Sequence, residues 1–120
     1  MEFYIKHKIT ADDGTNKFYA GMHWSKRKNW ADYWHMLVKS SISSMPRYTF
    51  KNPVFIEMWF ESGLDIDGHS IIAKTIIDAL VQCGWLVNDN KNHVQGLCLR
   101  FKNDLDFNGN SILVKIREVE

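Results

Sequence analysis

The sequence predicts one α/β (α+β) domain: a mixed β-sheet packed against two main helices, in the order β-α-β-α-β-β. Three observations predict it. Two amphipathic stretches with helical spacing interrupt stretches of strand character. The segment at 54–60 is apolar on both faces, the mark of a central strand. No repeat, low-complexity run or Pro/Gly/Ser linker divides the 120 residues, so the domain is expected to span 1–120.

Phe3, Ile5, His7 and Ile9 alternate with Tyr4, Lys6, Lys8 and Thr10, which reads as a strand. Asp12-Asp13-Gly14 supplies turn chemistry after it. Ser25 is placed to cap a helix. Trp30, Tyr33, Trp34, Leu37, Val38 and Ile42 then share one helical face over about four turns, and Pro46 lies beyond the end. In the next strand Val54, Ile56, Met58 and Phe60 share one face, and Phe55 and Trp59 the other. Gly63 ends it.

A second helix is expected from about Ser70 to Gln82. Ile72, Ile76, Ala79, Leu80 and Cys83 form its apolar stripe, and Gly84 suits its C-terminal cap. Two strands follow, at about 93–102 and 111–118. Asn108-Gly109 between them is a hairpin signal.

Composition excludes several classes. Two cysteines, Cys83 and Cys98, without CxxC spacing make neither a zinc site nor a disulfide framework. Both are expected as reduced core residues. The N-terminus is unlike a signal peptide, and no apolar run reaches the roughly 18 residues of a membrane span. A cytoplasmic protein is therefore expected. Neither GxSxG nor a P-loop is present. Net charge is only +1, but its distribution is uneven. Residues 1–51 hold nine Lys/Arg against four Asp/Glu; residues 52–120 hold six against ten. A basic arm for phosphates beside an acidic, metal-holding half is one reading, and chance clustering in a short chain is the other.

Three carboxylates stand out. Asp65 and Asp67 follow the central strand and precede a helix; Asp89 lies in the loop after that helix. If the last strands lie beside the central one, Asp89 returns toward the first pair. Carboxylates so gathered repel one another unless protons or cations intervene, and hard oxygen donors favour Mg²⁺ or Mn²⁺. Such ions activate water and stabilise a leaving oxygen in phosphodiester hydrolysis. Lys74, seven residues after Asp67, is placed to steady phosphoryl charge. Structural readings stand beside these. Asp67-Gly68 is a common turn pair, Asp67 can cap the second helix, Asp89 can be loop filler, and Lys74 can be a solvated residue paired with Asp78. His69 would join Asp65 and Asp67 as a metal ligand only if the segment stayed extended. The 65–70 segment lacks the third ligand and the sixth-position Gly of an EF-hand loop, and His93 stands at that Gly position in the Asn88–Asn92 run.

Asp65-Ile66-Asp67, Lys74-Thr75-Ile76-Ile77-Asp78-Ala79-Leu80 and Gly84-Trp85-Leu86-Val87-Asn88-Asp89 together resemble the signature of the RusA family of Holliday junction resolvases. The segment from Asn16 to Trp24 also resembles the N-terminal region of phage-encoded relatives. With both segments the resemblance covers most of the chain. It implies a dimeric, Mg²⁺-dependent endonuclease that cuts four-way DNA junctions during recombination and repair. By position it makes Asp65, Asp67 and Asp89 the metal ligands and Lys74 a catalytic lysine. Several positions depart from the pattern. Gly68 stands where Asn is usual, and Asn88 replaces the first Asp of the closing pair. Leu64 precedes the DxD where the bacterial prototype is basic, and three residues are added between Asp67 and Lys74. These departures keep open the alternative of a non-catalytic DNA-binding module with the same fold. A third alternative is a small-molecule metal phosphohydrolase, for which no substrate-pocket signature is seen.

Lys26, Arg27 and Lys28 crowd the start of the first helix, where positive charge opposes the helix macrodipole and a phosphate would relieve it. Trp24 and Trp30 flank them and are placed to stack on unpaired bases at a junction centre. The bland reading is a solvated basic turn with two core tryptophans. A four-way junction has near two-fold symmetry, so a C₂ homodimer is the expected assembly on branched DNA.

Overall fold

The structure is a computed structural model that describes residues 1–7, 24–60, 66–101 and 112–119, and of residues 24–27, 66 and 67 the backbone only. Its elements are β1 (Glu2–Ile5), α1 (Trp24–Ile42), β2 (Val54–Phe60), α2 (Ile66–Gln82), β3 (Val94–Phe101) and β4 (Ile112–Glu118). The mixed sheet and the order β-α-β-α-β-β agree with the sequence reading.

The four strands lie in the order β1-β4-β2-β3. β2 is central, as its two apolar faces require: β3 runs parallel to it on one side and β4 antiparallel on the other. β2-α2-β3 is thus a parallel crossover unit, with α2 carrying the chain back. This overturns the hairpin expected between the last two strands. β2 separates them, so no two-residue turn can join them. A central strand with two apolar faces wins the place beside β4, overriding the local turn signal. Asn108-Gly109 itself lies outside the described residues.

One core forms on one face of the sheet. Phe3 and Ile5 of β1, Val54, Ile56, Met58 and Phe60 of β2, and Ile112, Val114 and Ile116 of β4 are buried there. Trp34, Val38 and Ile42 of α1 join them, as do Ile72, Ala73, Ile76, Ile77, Ala79 and Leu80 of α2. The expected apolar stripes are therefore the packed ones, except that Tyr33 is exposed, its hydroxyl 3.3 Å from His7 Nδ1. Phe55, Glu57 and Trp59 point to the opposite face and are only half-buried.

Both helices begin earlier than their apolar periodicity. α1 starts at Trp24, so Ser25 is inside it and is not the cap. α2 starts at Ile66, so Asp67 lies in its first turn, where an acid complements the macrodipole. Polar residues at helix starts carry no apolar period, which is why spacing placed these starts late. At its other end α2 closes as expected. Gly84 takes φ +80°, the Trp85 N–H donates to the Leu80 carbonyl at 3.0 Å, and the Gly84 N–H donates to the Val81 carbonyl at 3.0 Å. This is a Schellman termination, which uses the left-handed conformation that glycine adopts most cheaply. The two cysteines are free thiols, as expected, but half-buried: Cys83 packs against the edge of the core, and Cys98 is not part of it. Cys83 lies just past the end of α2, and Cys98 lies on the half-covered edge strand. Among the described residues no helix is long and apolar enough to cross a membrane.

Candidate active site

The geometry that matters lies on the solvent side of α2. Lys74 and Asp78, one turn apart, stand opposite the buried stripe, and the Lys74 ammonium donates to Asp78 Oδ1 at 2.9 Å. It also donates to Asp89 Oδ2 at 2.5 Å, across fifteen residues of sequence. The Schellman turn makes this second contact possible. It folds the chain back at Gly84, so the 88–93 loop returns along the helix instead of continuing past its end.

The loop is built from its own asparagines. Asn88 Oδ1 accepts the Asp89 N–H at 2.7 Å. Asn90 Oδ1 accepts the Asn92 N–H at 3.1 Å and lies 2.9 Å from His93 Nδ1. These amide oxygens shape the turn; Asp89 alone of the group turns its carboxylate to Lys74. Asn88, in particular, positions the Asp89 backbone.

The charges reinforce one another. The Lys74 contact holds the Asp89 carboxyl below its ordinary range. Asp89 first and Asp78 second hold the Lys74 ammonium above its own. Asp89 is therefore an ionised carboxylate and Lys74 an ammonium near neutral pH. All three side chains are substantially exposed, so water screens the attraction and its contribution to folding is small.

Position 67 is on the same helical face as Lys74, just under two turns and about 10 Å of axial rise earlier. Thus position 67 shares a helical face with Lys74 and Asp78, and Asp89 joins those two side chains from the loop. Asp65 and the Asp67 side chain lie outside the described residues, and among the described residues no three potential ligands converge. Of Asp65, Asp67 and Asp89, only Asp89 has a described side chain, an accessible carboxylate held ionised. Its Oδ2 is engaged by Lys74.

His69 is not available in the manner considered from sequence. The segment is helical rather than extended, and His69 is fully buried, stacked on Phe60 at 4.3 Å and against Phe101 at 4.8 Å. It packs the end of the sheet beneath the candidate site.

Of the basic cluster, Lys28 is paired with Asp32 at 2.7 Å one turn later, in the open. Trp24, Lys26 and Arg27 fall in the first turn of α1, and their side chains lie outside the described residues. Trp30 is half-buried and packs on the core, with its ring 6.0 Å from that of Trp34. Its outer side lines a groove of about 370 Å³ between the helices, with Ser70, Ile71, Lys74 and Asp78 on the other wall. Sequence spacing did not show that Trp30 adjoins Lys74, because the two meet only when α1 packs on α2.

The chain matches no protein-family model, and no curated protein is significantly similar to it.

Proposed function

We propose that this protein is a Mg²⁺-dependent, structure-selective endodeoxyribonuclease of the RusA type, which resolves four-way DNA junctions as a homodimer. The observation that carries the proposal is the pairing of Lys74 with Asp89 on the helix face that also holds position 67. Asp65, Asp67 and Asp89 are the residues that would hold Mg²⁺ or Mn²⁺, whose bound form supplies water activation and charge neutralisation at the phosphodiester. Lys74 is cationic in this environment, so it supports developing negative charge and does not act as a base. Asp78 holds that ammonium in place. The groove beside Trp30 and the basic start of α1 would take the DNA strands that flank the cut.

Asp67→Asn tests the reading on a synthetic four-way junction with Mg²⁺. The change removes charge at nearly constant size, so cutting should vanish while binding persists. Undiminished cutting by the variant would show that the site is elsewhere.

A second reading has its own support. Asp89 Oδ2 is occupied by Lys74, and Asn88 and Gly68 replace the usual polar residues of the resembled signature. A DNA-binding module without catalysis would show junction binding with a steep salt dependence and no Mg²⁺- or Mn²⁺-dependent products. Nicked arms produced by pure wild-type protein exclude it.

A further inference from the structure

Both helices lie on one face of the sheet, and no described element packs on the other. Residues directly paired between strands share a face. The register therefore places Phe55 beside Arg117 and Gly96, Glu57 beside Lys115 and Cys98, Trp59 beside Arg100 and the buried Leu113, and Glu2 beside Lys115 on this second face. Phe55 and Trp59, the second apolar face of a central strand, lie under cations.

Three cations stand over the two rings. The Arg117 guanidinium is 4.9 Å from the centre of the Phe55 ring. Arg100 is 5.0 Å and the Lys115 ammonium 5.8 Å from that of Trp59. Glu57 is already engaged: it accepts from Trp59 Nε1 and lies 3.7 Å from Arg100. Among the described residues neither Lys115 nor Arg117 has an ion-pair partner. A guanidinium stacked on a ring keeps its N–H edge directed outward, which suits a phosphate oxygen. Phe55 is seated by Gly96, whose missing side chain lets the ring lie against β3.

We infer that this face binds a single-stranded segment of nucleic acid, with Arg100, Lys115 and Arg117 as phosphate contacts that swing outward on binding and free the outer faces of Phe55 and Trp59 for stacking. The two rings are four residues apart on β2, about 13 Å along the strand. A groove of about 240 Å³ between Glu2, Phe55, Glu57, Lys115 and Arg117 opens beside the first of them. Intact duplex offers these rings no exposed base face, whereas an unpaired strand offers one at every nucleotide. A second copy of the chain is an outcome the test must separate from nucleic acid. The Trp59 end of the platform adjoins the end of β2 that leads to Asp65. From the preceding reading the inference takes only that the substrate is branched DNA, where unpaired strands occur.

The test uses fluorescein-labelled dT12 in EDTA, followed by anisotropy over a range of salt concentrations. Wild type should bind. Lys115→Gln/Arg117→Gln should bind at least about tenfold more weakly and flatten the log–log salt slope by about 1.4, roughly 0.7 for each phosphate no longer neutralised. Phe55→Leu, which keeps apolar volume but removes the ring, should weaken binding about 5- to 100-fold. Circular dichroism and thermal melting establish that each variant is folded. Failure of wild type to bind dT12, or equal binding by folded variants, overturns the inference. So does sedimentation in which the variants lose self-association while keeping DNA binding. Junction cutting without dT12 binding removes this inference alone; dT12 binding without any cutting removes the nuclease reading alone.

Discussion

Gly96→Ala is a demanding test of how the second sheet face is built. A Cβ at residue 96 would fall 2.7 Å from Phe55 Cδ2 and 2.9 Å from Cε2, inside any real carbon–carbon contact. The ring must swing away, leaving both its seat on β3 and its stack under Arg117. Overpacking of this kind costs about 1–3 kcal/mol. Alanine recovers roughly 0.5–1 kcal/mol by restricting the unfolded chain. The net loss is therefore up to about 2.5 kcal/mol, and Tm should fall by up to about 10 °C at this chain length. The decisive measurement is a double-mutant cycle with Phe55→Ala by urea unfolding. With the ring gone, the Gly96→Ala step should become neutral or stabilising, so the two sites couple by more than about 1 kcal/mol. If Gly96→Ala has the same effect in both backgrounds, Phe55 does not lie on Gly96.

Three further outcomes follow from the core, the α2 turn and the charge cluster. Trp34→Ala removes the largest fully buried side chain of α1 and should cost about 3–5 kcal/mol in urea unfolding. Gly84→Ala should cost about 1–2 kcal/mol, because φ +80° is unfavourable for any residue with a Cβ; it should also loosen the return of Asp89 toward Lys74. The Asp89 carboxyl should titrate below its ordinary 3.8 in an NMR pH series, and Lys74→Met should bring the midpoint back up. The sign is fixed by the pair. Because the folded value of Asp89 is depressed, its contribution is complete above the ordinary value and is lost as pH falls through the depressed one. Because Lys74 is raised above 10.5, its contribution is complete below that value and is lost as pH climbs through the raised one. An Asp89 midpoint that ignores Lys74→Met would mean that the two side chains do not meet in solution.

The amino-acid sequence by itself determined the elements and their inner faces. Period-two and period-3.6 patterns arise from burial on one side, so they report which side chains enter the core; Ile56, Trp34 and Ile76 are each where their spacing put them. The two-sided strand 54–60 announced its central place, and Gly84 announced the end of α2. Asp89 and Lys74 were legible as residue types at suggestive spacing, but spacing along a chain carries no distance across it. Tertiary structure decided which strand lies beside which. The demand of β2 for neighbours on both edges outweighed a local Asn-Gly turn signal and separated β3 from β4. It also decided that the Schellman turn folds Asp89 back onto Lys74 and Asp78, that His69 goes under Phe60 and Phe101, and that both helices crowd one side. That last choice leaves Phe55 and Trp59 beneath cations on the other. Each of these depends on packing between segments far apart in sequence, where burial and charge pairing act through space and leave no period to read.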